Sequence, residues 1–223
     1  MALLGKGVLT IWNGIAPEAE DEFVAWHVRE HIPERVGLPG FLRGRRYVAA
    51  DGHPKYFNFY ETESTDVLSS AAYTARLNAP TEWTRKVVRH FRDTSRTICR
   101  VASSVGDGDG GWIETLRLST RAEPSDFIQS ASPLVSEAAV APGIVAVHLL
   151  EGQSETDSGT TAEKALRGQP DEVVAWVLLV EAVDRDSLVR LREGKLSDAR
   201  LRESAGVSGI VRGIYSLQFT LAG

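Results

Sequence analysis

The sequence has little of several features that would assign it to a common protein class. With one cysteine, Cys99, it cannot form an intramolecular disulfide or a cysteine-rich zinc site. Its 25 Lys and Arg residues are outnumbered by 30 Asp and Glu, and a general nucleic-acid binder needs the opposite balance. No apolar run reaches the length of about 18 residues that a membrane-spanning helix requires.

Two further observations define the class of protein that remains. Residues 1–14 contain only a short apolar run with no small-residue cleavage site after it, so they are predicted as a first strand and not as a signal peptide. Hydrophobic residues make up 43% of the chain, which is enough to build a core. We therefore expect a soluble cytoplasmic protein that binds neither nucleic acid nor membranes.

The same order of elements is predicted twice along the chain. In the first half, strands are predicted at about residues 8–12, 41–50, 56–61 and 96–101, with helical segments at 17–36 and 64–91, the latter broken at 78–80. In the second half, strands are predicted at 112–118, 144–150, 173–181 and 209–221, with helices at 125–140 and 186–203. Between the halves, residues 103–111 have the glycine-rich composition of a flexible linker. Each half thus has the βαββαβ order of a ferredoxin-like unit.

The strand composition indicates how the two halves pack. Residues 144–150 and 173–180 are apolar at nearly every position, which is typical of a sheet covered on both faces. Helices cover only one face of a ferredoxin-like sheet, so the sheet of the other half is the expected cover. The prediction is an α+β fold in which tandem units, residues 1–103 and 111–223, pack sheet to sheet as a barrel within one chain. Such a chain is a monomeric pseudo-dimer, or a homodimer through another surface.

The densest group of chemically active side chains lies on the first predicted helix. His27 and His31 are four residues apart, so they share a face, and Phe23 on the same stripe directs that face toward the sheet. Glu30 lies at the edge of the stripe and is a candidate to bind substrate. Two imidazoles on an inner face can be acid–base groups, hydrogen-bond donors or metal ligands, or they can be core residues with satisfied hydrogen bonds.

The second predicted strand carries three arginines. Arg43 and Arg45 share one side, and Arg46 lies on the other. Arg45 or Arg46 could hold a carboxylate, phenolate or phosphate. The alternative is that these arginines lie at an exposed edge or pair with nearby carboxylates, for which the candidates are Glu30, Glu34 and Glu61.

Aromatic residues near these groups could form the wall of a pocket. Tyr47, Tyr60 and Trp83 are candidates to contact a flat ligand, although aromatics at such positions are more often core. Cys99 is predicted as a small buried hydrophobe, and His148 as structural. The polar stretch 152–169 is longer than a hairpin needs, and it is predicted to be a lid or a disordered segment.

These features together resemble the dimeric α+β barrel superfamily. The resemblance rests on the Trp26-His27 and Glu30-His31 helix, on Pro39-Gly40-Phe41 opening the next strand, and on the double βαββαβ order. Within the superfamily the chain looks most like EthD-like and related uncharacterised proteins, as a tandem duplication. Residues 122–140, the equivalent helix of the second half, have no histidine, so at most one site per chain is expected.

The resemblance implies a small-molecule protein. Superfamily members include cofactor-independent monooxygenases, cyclases, isomerases and haem-handling proteins, and many place a ligand between sheet and helices beside a helix histidine. For this chain it implies an enzyme with no cofactor that acts on an aromatic or conjugated carbonyl compound, with His27 or His31 as the acid or base. The alternatives are a non-catalytic ligand-binding or stress-responsive protein, and a haem- or metal-binding barrel in which one of these histidines is a ligand.

Overall fold

Eight strands form a closed antiparallel barrel in the computed structural model, which describes residues 3–153, 161–168 and 171–223. They are β1 (Gly7–Ile15), β2 (Phe41–Asp51), β3 (Tyr56–Thr62), β4 (Phe91–Gly106), β5 (Trp112–Thr120), β6 (Ile144–Gly152), β7 (Trp176–Ala182) and β8 (Val207–Ala222). The order around the barrel is β1-β3-β2-β8-β5-β7-β6-β4. Each half contributes four neighbouring strands in an equivalent order, and the pairs β2–β8 and β4–β6 join the halves. The predicted fold class is confirmed.

Helices cover the outside of the barrel. They are α1 (Glu20–Trp26), α2 (Ile32–Val36), α3 (Ala71–Asn78), α4 (Glu82–Val88), α5 (Pro124–Ala139), α6 (Ala162–Arg167), α7 (Arg185–Glu193) and α8 (Asp198–Ala205). A 3₁₀ turn (Pro17–Ala19) precedes α1, and a π turn (His27–His31) joins α1 to α2, so the predicted helix 17–36 is continuous. None of the described helices combines the length and apolar character needed to cross a membrane.

Each strand has one face inside the barrel and one face under the helices. In β7, Val177 and Leu179 belong to the inner apolar cluster, whereas Trp176, Leu178 and Val180 pack with the helices of the second half. This two-sided burial explains why β7 is apolar at nearly every position. The inner cluster draws on both halves and includes the fully buried Cys99, as predicted: Val8, Trp12, Tyr47, Phe57, Phe59, Cys99, Ile113, Leu150 and Tyr215.

The same glycine turn opens the second strand of each half. Gly40 and Gly143 have φ values of 84° and 78°, a conformation that L-residues with a side chain rarely adopt. A Cβ at Gly40 would lie 2.6 Å from a Val67 methyl, and one at Gly143 would lie 2.0 Å from Ser187 Oγ. Pro39-Gly40 of the first half and Pro142-Gly143 of the second therefore mark equivalent turns, while the duplication itself and the unit boundaries stay predictions.

Most predicted elements differ from the observed ones by a few residues at their ends, and two show larger differences. β4 continues to Gly106 instead of ending near residue 101, because β6 supplies hydrogen-bonding partners up to that glycine, so the first residues of the predicted linker are strand. The single helix predicted at 186–203 is two helices, since Ser197 accepts a hydrogen bond from the Arg200 N–H and starts α8 anew.

Candidate functional site

The π turn places the two histidines one above the other. His27 and His31 are its first and last residues, and the Ile32 N–H donates to the His27 carbonyl, five residues back. Pro33 follows and has no N–H to offer the carbonyl of Arg29, so regular α-helical bonding fails at this point. The wider turn stacks the two rings with centroids 5.3 Å apart and planes at 25°. Single π turns of this kind are frequent at functional sites.

Both imidazoles are buried among aromatic rings. His27 is 3% exposed and stacks on Phe23 at 5.2 Å, and His31 is 7% exposed and lies 4.3 Å from Trp26 and 6.4 Å from Tyr60 between ring centroids. Nδ1 of each histidine and Oη of Tyr60 are buried without a hydrogen-bond partner in the described part of the chain. A buried polar atom left unpaired costs about 1–3 kcal/mol, so three together mark a place where a ligand or water completes the bonding.

A cavity adjoins two of these unpaired groups, those of His31 and Tyr60. Its volume is about 30 Å³, roughly the share of one water in the liquid, and His31, Arg35 and Tyr60 are among its walls. A surface cleft of about 360 Å³ lies beside it, and Phe91, Thr94 and Arg167 belong to the linings of both. The cleft has the size of a small-molecule site, and the shared residues place it next to the cavity.

Burial and positive charge keep the histidines neutral. Burial, followed by Arg46 and Arg35, lowers the pKa of His27 well below its usual range. Burial, followed chiefly by Arg35, does the same for the pKa of His31. Burial raises the pKa of Tyr60 far above its usual range, and the nearby Arg35 only partly opposes this. At neutral pH the site therefore holds two neutral imidazoles able to accept a proton and one phenol able to donate a hydrogen bond.

The neutral histidines predict a loss of stability in mild acid. Because the folded-state pKa values of His27 and His31 lie below the unfolded value, the unfolded chain binds more protons, and the free energy of unfolding falls once the pH drops below about 6.5. Each histidine contributes a slope of up to about 1.4 kcal/mol per pH unit. Urea unfolding between pH 7 and 5 measures this slope, and the double variant His27→Gln/His31→Gln is expected to flatten it. An equally steep slope in that variant would contradict the assignment.

The second half contributes a residue to this first-half site. Helix α6 follows β6 in the chain but packs against α3 and α4, and its Glu163 accepts a 2.5 Å hydrogen bond from Nη2 of Arg35. Arg35 is 2% exposed and Glu163 is 7% exposed, so this ion pair is buried. Of the predicted lid stretch, residues 154–160 and 169 lie outside the described residues, while α6 is ordered helix against the site.

Three other candidate residues lie on the helix side of the sheet in different roles. Arg46 is buried next to the histidine pair and donates to the Val24 carbonyl at 3.3 Å. Glu30 accepts hydrogen bonds from α4 and from Trp26 Nε1, so it fastens the helices together. Trp83 donates to Glu22 at 2.6 Å. Of these three residues, none lines the cavity or the cleft.

Arg45 and Tyr47 lie on the opposite face of β2, inside the barrel. Arg45 is 1% exposed and donates to Glu61 at 3.1 Å, to Glu181 at 3.0 Å and to Tyr47 Oη at 3.2 Å. Arg43 also pairs with Glu61, at 2.6 Å, which is the carboxylate pairing weighed as the alternative. The sheet therefore separates Arg45 and Tyr47 from the histidine pair, and we leave both out of the proposed site.

His148 takes part in the same interior network. Its Nδ1 lies 2.9 Å from Ser104 Oγ, and its Nε2 lies 3.4 Å from Glu181 Oε1. Burial alone would raise the pKa of Glu181, but His148, Arg45 and the Gly110 N–H outweigh it and lower the pKa to about 2. These interactions fit the structural role predicted for His148.

Several cavity residues were not identified from the sequence. Arg35 follows His31 by four residues on the same helix, and this spacing could have placed it on the same face as the histidines. Tyr73 of α3, Arg96 of β4 and Glu163 of α6 come from separate elements, and only the tertiary structure brings them together.

A haem does not fit the residues present. The cavity beside His31 has room for about one water and is closed by Trp26, Tyr73 and the Arg35–Glu163 pair, whereas a haem needs a slot for four pyrrole rings. Among the described residues, no group of three or more His, Cys, Asp or Glu side chains is placed to hold a metal ion.

Comparisons with known proteins agree with the fold. Neither a protein-family model nor a curated protein matches the chain. An anthrone oxidase-like protein of solved structure has a TM-score of 0.64 at 13% identity, with 100% of this chain and 95% of the other covered. A candidate monooxygenase from Fusobacterium nucleatum has 0.61 at 11%, with 99% of each chain covered. A haem-binding protein from Thermus thermophilus has 0.54 at 11%, with 96% and 92% covered.

At identities this low, the likeness concerns the fold alone. It bears out the resemblance to ferredoxin-like α+β barrel proteins over nearly the whole chain, whereas the finer EthD-like likeness stays a prediction. The chain is an α+β barrel of the ferredoxin-like type. Its first helical segment carries a buried pair of histidines, which lies between that segment and the sheet of the first half.

Proposed function

We propose that this chain is an enzyme that moves a proton on an aromatic or conjugated carbonyl compound, with His31 as the base. The observation that carries the proposal is the set of unpaired atoms: Nδ1 of His31 and Oη of Tyr60 are buried on side chains that line one cavity, and Nδ1 of His27, whose ring stacks on His31, is also unpaired. Buried polar atoms normally have partners, and a bound ligand would provide them.

The step uses groups in the protonation states that the site favours. Neutral His31 takes a proton from the carbon next to the carbonyl, so the C–H bond breaks and its electron pair moves onto the carbonyl oxygen. Tyr60 keeps its proton and donates a hydrogen bond to that oxygen as it gains charge. His27 is stacked on His31 and disfavours a lasting positive charge there, which helps His31 release the proton again.

The surroundings of the histidines suit a flat substrate. Trp26, Tyr60 and Tyr73 contribute aromatic walls to the cavity. The cleft beside it is large enough for a ring system, so the ring would lie there with only its carbonyl end in the cavity. The neighbour described as anthrone oxidase-like is named after a flat aromatic ketone, which agrees with the class proposed here. A non-catalytic binder would use the same pocket without the proton transfer, and the experiment below separates the two.

The proposal is tested by hydrogen–deuterium exchange of 2-tetralone, a flat ketone with acidic protons next to its carbonyl. NMR in D₂O follows the loss of those proton signals, and the protein is expected to accelerate it well beyond free imidazole at the same concentration. Equal rates with protein and with imidazole would contradict catalysis. Saturable binding of the ketone with that result would identify a binding protein.

A further inference from the structure

The walls of the histidine cavity carry an excess of positive charge. Four of the described side chains that line it are charged, and three of these are the cations Arg35, Arg96 and Arg167, against the single carboxylate of Glu163. Two of the cations have partners close by: Arg96 donates to Tyr73 Oη at 3.2 Å, and Arg167 forms two hydrogen bonds with Asp171. Arg35 is the cation that remains directed at the cavity with a free donor.

Arg35 uses only part of its hydrogen-bonding capacity in this structure. Its Nη2 donates to Glu163, but its Nη1 is buried and has no hydrogen-bond partner among the described residues. The ion pair with Glu34 brings a carboxylate oxygen to 3.7 Å from Nη1, which is beyond hydrogen-bond distance. A guanidinium binds a carboxylate best through two parallel hydrogen bonds, so Arg35 offers one more bond than Glu163 uses.

Glu163 occupies the position beside Arg35 that the anionic group of a ligand would take. It enters the cavity from α6, a six-residue helix of the second half, and it is the one carboxylate of the described lining. Burial lowers the pKa of His31, and Arg35 and Arg167 of the cavity wall lower it further, so the pocket favours negative charge at more than one point.

We infer that the ligand of this cavity is an anion, a flat conjugated molecule whose carboxylate or phenolate oxygen pairs with Arg35 in place of Glu163. The inference rests on the proposed function and extends it, since it names the charge of the substrate and the residue that holds it. Exchange of one carboxylate for another keeps the buried guanidinium paired, which avoids the cost of an isolated buried charge. It also removes the Glu163 side chain from a cavity that now has room for about one water.

Two probes that differ in charge test the inference. Calorimetric titration at pH 7 compares 2-naphthoate with 2-naphthamide, which have the same ring and nearly the same shape. The wild-type protein is expected to bind naphthoate at least about tenfold more tightly, because a hydrogen bond to a charged group contributes about 1.5–3 kcal/mol. Arg35→Gln should abolish this preference, and Glu163→Gln should tighten naphthoate binding several-fold because the competing carboxylate is gone.

The control is Arg76→Gln, which removes a cation close to His31 that does not line the cavity, and it should leave the preference intact. Equal binding of the two probes to the wild-type protein would overturn the inference, and so would weaker naphthoate binding by Glu163→Gln. If Arg35→Gln does not fold, the comparison of the two probes on the wild-type protein and the Glu163→Gln titration still test the inference. The exchange assay uses neutral 2-tetralone, so the proposed function can survive the failure of this inference and is tested separately.

Discussion

Replacing Arg45 with Met is expected to lower the free energy of unfolding by about 3–5 kcal/mol, because two buried carboxylates lose the guanidinium that they share. Glu61 and Glu181 are fully buried, and Arg45 donates to both from inside the barrel. The guanidinium also lies over the Phe59 ring, 4.2 Å from its centroid, so Met restores neither the charge nor this contact. A loss of this size is a large part of the stability of an ordinary domain.

Urea unfolding at pH 7 measures the effect. The matched control is Arg100→Met, which removes an arginine that pairs with Glu151 on the surface, where its side chain is 50% exposed. Surface pairs contribute about 0–1 kcal/mol, so this variant should unfold close to the wild-type protein. If the free energy of unfolding falls by a similar amount in the two variants, the interior ion-pair network does not stabilise the barrel as described.

Replacing His31 with Gln is expected to reduce the exchange of 2-tetralone by about 100-fold or more. A positioned general base typically contributes a factor of about 10²–10⁴, and Gln cannot accept a proton at neutral pH. His27→Gln should have a smaller effect, since His31 is the member of the pair that lines the cavity. Tyr60→Phe should also slow exchange, because the developing oxyanion would lose its hydrogen-bond donor.

His90→Gln is the control for these variants, because His90 lines neither the cavity nor the cleft. Its exchange rate should equal that of the wild-type protein. If His31→Gln retains full exchange while it stays folded, His31 is not the base. If His27→Gln alone abolishes exchange, the roles of the two histidines are reversed.

The architecture was predictable because it depends on local patterns. Apolar strands of the right length, the Pro-Gly turns at Gly40 and Gly143, and a repeated element order determine the barrel, and each is visible in a short window of sequence. The end of β4 was not predictable in this way. Residues up to Gly106 become strand only because β6 offers them a partner, and such pairing overrides a linker-like composition.

The site was predictable only in part, for a related reason. Helical spacing placed His27 and His31 on one face, and strand alternation correctly separated Arg46 from Arg45. Alternation alone does not determine which face of β2 meets the helices and which lies inside the barrel. The sequence therefore left Arg45 as a candidate for the histidine site, although its side chain lies on the opposite face of the sheet. Glu163 lies in a stretch with no strong pattern, and its role follows from a contact 128 residues apart in the chain.

The most direct test of the central claim is ¹⁵N NMR of the histidine side chains with and without 2-tetralone. The His31 signal is identified by its loss in His31→Gln, and His148 inside the barrel serves as the internal reference. The account predicts that His31 is neutral at pH 7, titrates below pH 6.5, and shifts when the ketone is added while His148 does not. A His31 that titrates at or above pH 6.5, or a ketone that shifts His148 and leaves His31 unchanged, would contradict it.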